Sequence, residues 1–170
     1  FNQAYKISPH MLDLWACILL EAHNTVLWML AWNPHAQANL NAELALRGVP
    51  AERVFWAPKL NLDEHIARLR VADLFLDTWP CNAHTTAGEA LWMGVPVVTV
   101  IGETFAQRVA ASLLHQVGLD ELVCTDQAVY AETVTGLAAD TARRAALREH
   151  LLRQRDGRLL SGVALAFPPD

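Results

Sequence analysis

Short, wholly apolar runs alternate along this chain with longer stretches in which apolar residues recur at helical spacing. Ser8-Pro9 places a capping hydroxyl before a proline at the first helical position. Met11, Leu12, Leu14, Trp15, Ile18 and Leu19 then repeat with helical spacing up to Glu21. The apolar run Thr25–Leu30 has the length of a strand. Asn33-Pro34 repeats the cap-plus-proline device, and a helix is expected to run to Gly48, which suits a left-handed C-terminal cap. Further strands are expected at Arg53–Trp56, Leu74–Asp77, Pro96–Val100 and Leu122–Cys124. Helices are expected from Asn61 or Asp63 to Arg70, over Thr85–Met93 closed by Gly94, and over Glu103–Val117 closed by Gly118. Two more start at Asp126 and Asp140 and reach about Arg155.

The strands are apolar throughout rather than alternating, the pattern of a sheet covered by helices on both faces. Strand and helix in strict alternation predict a parallel, doubly wound α/β sheet. One domain over residues 1–158 is expected, with 159–170 (LSGVALAFPPD and the leucine before it) left unassigned. Phe1-Asn2-Gln3 reads like a loop leaving a strand, and the first strand of a doubly wound half normally lies in the sheet centre. The expectation is therefore a domain lacking its first strand, part of something larger. No internal repeat or low-complexity linker interrupts it.

With 170 residues, 53% of them hydrophobic, and a mean hydropathy of +0.18, the chain can bury a proper core and is no disordered segment. Its net charge of −5 argues against a nucleic-acid partner. The basic residues between Arg143 and Arg158 are interleaved with glutamate and leucine, as on a solvated helix face. Cys17, Cys81 and Cys124 are far apart and form no C-x-x-C pair, which reads as reduced thiols in a cytosolic protein with neither a disulfide framework nor a metal site. The apolar runs are too short for a bilayer and no secretory pattern opens the chain. A soluble, cytoplasmic protein with no membrane partner is expected.

In open α/β sheets ligands bind beyond the carboxyl ends of the strands. Three loops carry polar groups at such positions. FNQAYKIS offers Gln3 and Lys6; NLDEHIAR offers His65 and Arg68 three residues apart on one helical face; and AHTTAGE offers His84, Thr85, Thr86 and Glu89. A helix N-terminus with unpaired N–H groups attracts phosphate, and two threonines and a histidine add donors. Glu89, one turn on, is suited to accept ribose hydroxyl protons. Thr86-Ala87-Gly88-Glu89 equally fits a capping box, with Glu89 reaching back to the Thr86 N–H. His65 can equally be a packed histidine, and Lys6 a surface lysine. No G-x-G-x-x-G, P-loop or D-x-D is present. A diphosphate here would have its charge met by lysine, N–H groups and hydroxyls, which makes Lys6 the natural counter-charge.

Taken together, FNQAYKISP, FWAPKLNLDEH, ADLFLDTWPCNAHTTAGEALWMGVPVVTV and GETFAQRVAASLL resemble the O-linked N-acetylglucosamine transferases, in the order and approximate spacing of that family and in what looks like a bacterial homologue. The likeness is to the C-terminal, UDP-binding half of their GT-B catalytic region, a Rossmann-like lobe, and runs from Phe1 to about Arg155. It implies transfer of N-acetylglucosamine from UDP-GlcNAc to serine or threonine of proteins, with inversion, without a metal and with no cofactor beyond the donor. Gln3 and Lys6 match diphosphate contacts, with Lys6 the catalytic candidate. His84, Thr85 and Thr86 match the phosphate-binding helix start, Glu89 the ribose acid, His65 the histidine beside the uridine, and Arg68 lies on the same face.

The family has a lysine near the uracil where this chain has Leu62, with Lys59 further upstream. No general base is named in this chain. Implied partners are a UDP-sugar, a protein or peptide acceptor, an N-terminal catalytic lobe and tetratricopeptide repeats. A UDP-glucose-dependent protein N-glucosyltransferase and a non-catalytic nucleotide-binding fragment remain alternatives. GETFAQRVAAS reads as a packed helix with Arg108 exposed. The six tryptophans read as core, except Trp79 in the loop before His84.

Overall fold

A computed structural model of the chain describes residues 3–156. The unassigned stretch 159–170 lies outside the described residues. Helix and strand alternate as the pattern predicts: α1 (Pro9–Glu21), β1 (Leu27–Leu30), α2 (Pro34–Leu46), β2 (Val54–Ala57), α3 (Leu62–Arg68), β3 (Phe75–Leu76), α4 (Thr85–Trp92), β4 (Val97–Val100), α5 (Val109–Gln116), β5 (Val123–Cys124), α6 (Gln127–Ala139) and α7 (Thr141–Asp156). The ends are set by local chemistry. Ser8 Oγ accepts from Met11 N at 3.2 Å, Asn33 Oδ1 from Ala36 N at 2.8 Å, Asn61 Oδ1 from Glu64 N at 2.9 Å and Asp126 Oδ1 from Val129 N at 2.9 Å. Asn61, not Asp63, is therefore the cap of α3. Gly48, Gly94 and Gly118 close their helices with φ of 81°, 76° and 69°.

One predicted helix divides. In place of a single helix over Glu103–Val117, a 3-10 turn at Phe105–Gln107 precedes α5, and the backbone changes direction at Arg108. The Gln107 side chain causes the break. Its Oε1 accepts from the backbone N–H groups of Glu103 and Thr104 at 3.1 and 3.0 Å, holding the turn against Gly102. Arg108 is exposed, as expected.

The strands are all parallel, in the orders β2-β1 and β3-β4-β5. β4 is buried along its whole length with α5 and α6 packed against it, so its uniform apolar run reflects cover on both faces. Where one sheet was expected there are two, and an apolar cavity of about 530 Å³ separates β1 from β3. Leu27, Trp28, Met29 and Leu30 all line it, as do Leu74, Phe75 and Leu76, with Trp15, Ile18 and Leu19 of α1 alongside. Successive strand residues point to opposite faces, so a cavity touching every one of them runs along the two strand edges.

Arg53 ties β2 to the helix that precedes β1. Its guanidinium donates to the carbonyl of Leu19, to that of Ala22 at 2.6 Å and to that of Thr25 at 2.8 Å. These are carbonyls at and just beyond the C-terminal end of α1, which a helix cannot satisfy by itself.

Candidate functional site

Beyond the carboxyl ends of β1, β2 and β3 lies a second cavity, of about 470 Å³, within the range of small-molecule sites. Gln3, Lys6, His65, Arg68, His84, Thr85, Thr86 and Glu89 all line it, so the three polar loops read from the sequence converge on one place. Leu30 ends β1 there, and Tyr5, Trp32, Lys59, Leu60 and Leu62 complete the wall.

α4 begins at Thr85, with His84 at the N-cap in a non-helical conformation and making no side-chain cap bond. Thr86 is thus the second residue inside the helix and not a cap. The capping-box alternative for Thr86 and Glu89 fails on that register. The His84 carbonyl already receives the N–H groups of Ala87 and Gly88, at 3.1 and 3.2 Å. Thr85 and Thr86, the first two residues of the helix, both line the cavity. His84 packs edge-on to Phe105, with ring centroids 6.1 Å apart.

Lys6 reaches this helix start from the other side. Its Nζ donates to the Asn82 carbonyl at 2.7 Å. An ammonium has three donors, so two remain to face the cavity. Gln3 sits at the start of the 3-10 turn Ala4–Lys6 that carries the lysine, and its carbonyl accepts from Lys6 N at 2.9 Å.

His65 and Arg68, one turn apart on α3, are in contact as their spacing predicts. Arg68 Nη2 lies 2.8 Å from His65 Nδ1, and Arg68 Nη1 donates to the Pro58 carbonyl at 2.5 Å. Arginine has no acceptor, so Nδ1 accepts and the ring proton of a neutral His65 sits on Nε2. That nitrogen points at Glu89 Oε2 from 3.6 Å. Burial, and then the Arg68 charge, lower the His65 pKa, while burial raises that of Glu89. The pair is therefore a neutral imidazole facing a desolvated acid. At 3.6 Å it is too long for a hydrogen bond, and both side chains line the cavity.

The loop joining β3 to α4 is held from below by a residue the sequence reading passed over. Asp77 is 2% exposed. Its Oδ1 accepts from the N–H groups of Thr78 and Ala83 at 2.8 and 2.6 Å, and its Oδ2 from the Thr99 hydroxyl at 2.7 Å. Tyr130 Oη donates to its backbone carbonyl at 3.2 Å. A lone acid at the end of an apolar strand run was the available signal. Tryptophans also sort differently from expectation: Trp79 packs against the core, and Trp32 lines the cavity instead. Lys59 lies in the same wall as Leu62, so a cation is present there although the family's lysine position is not.

Among the described residues no helix is long and apolar enough to cross a membrane, and no group of three or more His, Cys, Asp or Glu side chains is placed to hold a metal ion.

A parallel α/β lobe with donors gathered at a helix start beyond its strand ends is the architecture with which nucleotide-dependent enzymes hold their ligands. Residues 1–164 match the model of glycosyl transferase family 41, and the chain belongs to that family. It is 34% identical over 163 residues to a Caenorhabditis elegans protein described as UDP-N-acetylglucosamine--peptide N-acetylglucosaminyltransferase, covering 96% of this chain and 14% of that protein. It is 34% identical over 156 residues to a probable enzyme of the same description from Arabidopsis thaliana, covering 91% of this chain and 16% of that one. Among solved structures it is similar to a mutant O-GlcNAc transferase of Thermobaculum terrenum, with 38% identity and a TM-score of 0.87 over 98% of this chain and 32% of that chain. The chain thus spans about a third or less of the proteins it matches.

Proposed function

We propose that residues 3–156 form the UDP-sugar-binding lobe of an inverting, metal-independent protein O-GlcNAc transferase acting on serine or threonine hydroxyls. The observation that carries this is the convergence of all eight candidate residues on one cavity. In this reading the diphosphate lies against the start of α4, between the Thr85 and Thr86 N–H groups and hydroxyls and the two unused donors of Lys6. Gln3 and His84 donate from the rim. The ribose hydroxyls lie against Glu89, whose acid oxygens accept, and His65 sits beside the uridine. The base lies toward Leu62 and Lys59.

As the acceptor oxygen bonds to the anomeric carbon, the bond to the diphosphate breaks and negative charge develops on the leaving oxygen. Lys6 and the α4 N–H groups stabilise that charge, each donor contributing about 3 kcal/mol. The base that takes the acceptor proton belongs to the N-terminal lobe or to the donor's own phosphate. Contacts to the acceptor protein and any tetratricopeptide repeats belong to polypeptide outside these residues, and a cytoplasmic setting belongs to the same proposal.

The domain reading is part of it too: the gap between β1 and β3 holds a strand from outside the described residues, giving the order β2-β1-strand-β3-β4-β5 of a doubly wound half. Ala31 N donates to β2, and Phe75 N and Asp77 N donate toward β4, so by alternation the N–H groups of Leu30 and Leu76 face the gap. They should exchange with deuterium quickly in the 170-residue chain and slowly in a longer protein carrying that strand. Fast exchange in both refutes the strand.

The first test is calorimetric titration of the purified chain with UDP, ADP and GDP, beside a Lys6→Ala/Thr85→Ala double variant. Binding selective for UDP and lost in the variant is expected. A well-folded chain that binds all three alike, or a double variant that binds as the parent does, removes the reading.

A further inference from the structure

We propose that Asp77 is the positioning residue of the anion-binding end of α4. It closes the loop ahead of the helix into a ring, and so fixes where the helix N–H groups and Lys6 point. The inference rests on reading the adjoining cavity as a diphosphate site.

The ring is short and continuous. Asp77 Oδ1 holds both ends of the loop, the N–H of Thr78 at 2.8 Å and that of Ala83 at 2.6 Å. Inside it, Thr78 Oγ1 donates to the Cys81 carbonyl at 2.8 Å and Asn82 Nδ2 to the Thr78 carbonyl at 3.1 Å. The outer side is pinned as well, by Asn82 N donating to the Ala106 carbonyl at 2.9 Å. Two functional groups hang from it. His84, the N-cap of α4, follows Ala83 directly. The Asn82 carbonyl is the acceptor that orients Lys6 Nζ. Releasing Ala83 would therefore disturb the helix start and the lysine together.

Asp77 does not line the cavity and is fully enclosed, so it acts through these partners and not on the ligand. Its own position is fixed from β4 by Thr99 and from α6 by Tyr130. An aspartate in this place puts a negative charge behind a site meant for an anion, which opposes binding. Geometry is the gain that offsets this charge. An amide can make the same pattern: its oxygen accepts from Thr78 and Ala83, and its NH₂ donates to a Thr99 hydroxyl that reverses its role. This separates position from charge.

The test uses Asp77→Ala and Asp77→Asn in the 170-residue chain, with UDP affinity by calorimetry and amide exchange at Thr78 and Ala83. The alanine variant should lose exchange protection at both amides and bind UDP at least tenfold more weakly, about the effect of misplacing several donors at once. The asparagine variant should restore protection and bring affinity back to within about threefold of the parent, since it retains the hydrogen bonds. If Asp77→Ala does not fold, Thr99→Val takes its place, and one lost anchor should weaken UDP by about fivefold and speed exchange at Ala83. An alanine variant that binds UDP like the parent overturns the assignment of Asp77 and leaves the nucleotide reading standing. Asparagine that binds as weakly as alanine while Ala83 stays protected overturns it too, because charge and not position would then be at work. A parent chain that binds no UDP while the Ala83 amide is protected overturns the nucleotide reading instead, and with it the ligand that Asp77 is proposed to serve.

Discussion

Asp77 should leave a measurable signature in the pH dependence of stability. Burial pushes its carboxyl pKa up from 3.8 to about 6, against the opposing hydrogen bonds from Thr99, Ala83 and Thr78 and the charge of Lys6. Between those two values the native state holds a proton that the unfolded chain has already released. Stability falls with rising pH wherever the native state binds more protons. The contribution is therefore fully present below about pH 3.8 and is lost as pH rises through about 6. Each pKa unit corresponds to about 1.4 kcal/mol, which makes the loss on the order of 3 kcal/mol. The perturbation is Asp77→Asn, which keeps the hydrogen-bond pattern and removes the titration. Urea unfolding of parent and variant in steps from pH 4 to pH 8 gives a difference in which the other titrating groups largely cancel. That difference should move toward the variant by roughly 2–3 kcal/mol between pH 4 and pH 7 and then level off. A difference that is flat across this range, or that moves toward the parent, refutes the account of Asp77 as a desolvated carboxylate held ionised at neutral pH.

Three other perturbations address the site and its frame. In a two-lobed protein carrying this chain, the proposed transferase role predicts that Lys6→Met lowers kcat by about a hundredfold or more while UDP affinity falls less than about tenfold, since its charge matters most when the leaving oxygen becomes negative; equal losses in both, measured by steady-state kinetics and calorimetry, remove the transition-state role. Arg68→Gln should raise the His65 pKa, because the Arg68 charge is one of the effects that lower it there, burial being the largest; an NMR titration of the imidazole that does not move refutes the contact. Arg53→Met removes the guanidinium donors from the carbonyls of Leu19, Ala22 and Thr25 at the end of α1, of which Ala22 alone keeps the Thr25 N–H and hydroxyl, and urea unfolding should show a loss of about 2–3 kcal/mol.

The framework was legible because it is written in local devices. Proline after serine or asparagine, glycine after a helix and apolar runs of strand length each act within a few residues, and every predicted strand and all but one helix stand near their expected places. The helix over Glu103–Val117 failed because Gln107 bonds backward to backbone N–H groups, an option that apolar spacing does not record. Six of the eight candidate residues follow β2 or β3, whose ends share one side in a parallel arrangement, and Gln3 and Lys6 reach the same cavity from the turn ahead of α1. The competing capping box at Thr86 could not be dismissed from sequence. It differs from the observed start by a single residue of register, and the non-helical His84 decides it.

Asp77 stayed hidden for the opposite reason. An acid is usually read by what it could do to a ligand, and this one does not line the cavity; its partners at Ala83, Thr99 and Tyr130 come from three different segments. Its location nonetheless follows from the fold. A loop of several residues between β3 and α4 has backbone donors to satisfy, and Thr78, Asn82 and Ala83 within it are buried. A carboxylate can accept at both oxygens, which a threonine or an apolar residue cannot. The same enclosure that makes the loop rigid raises the pKa of the acid, so rigidity at the anion site and a cost in stability at neutral pH come from one residue. The two effects are separable by substitution: Asp77→Asn should retain the first and remove the second.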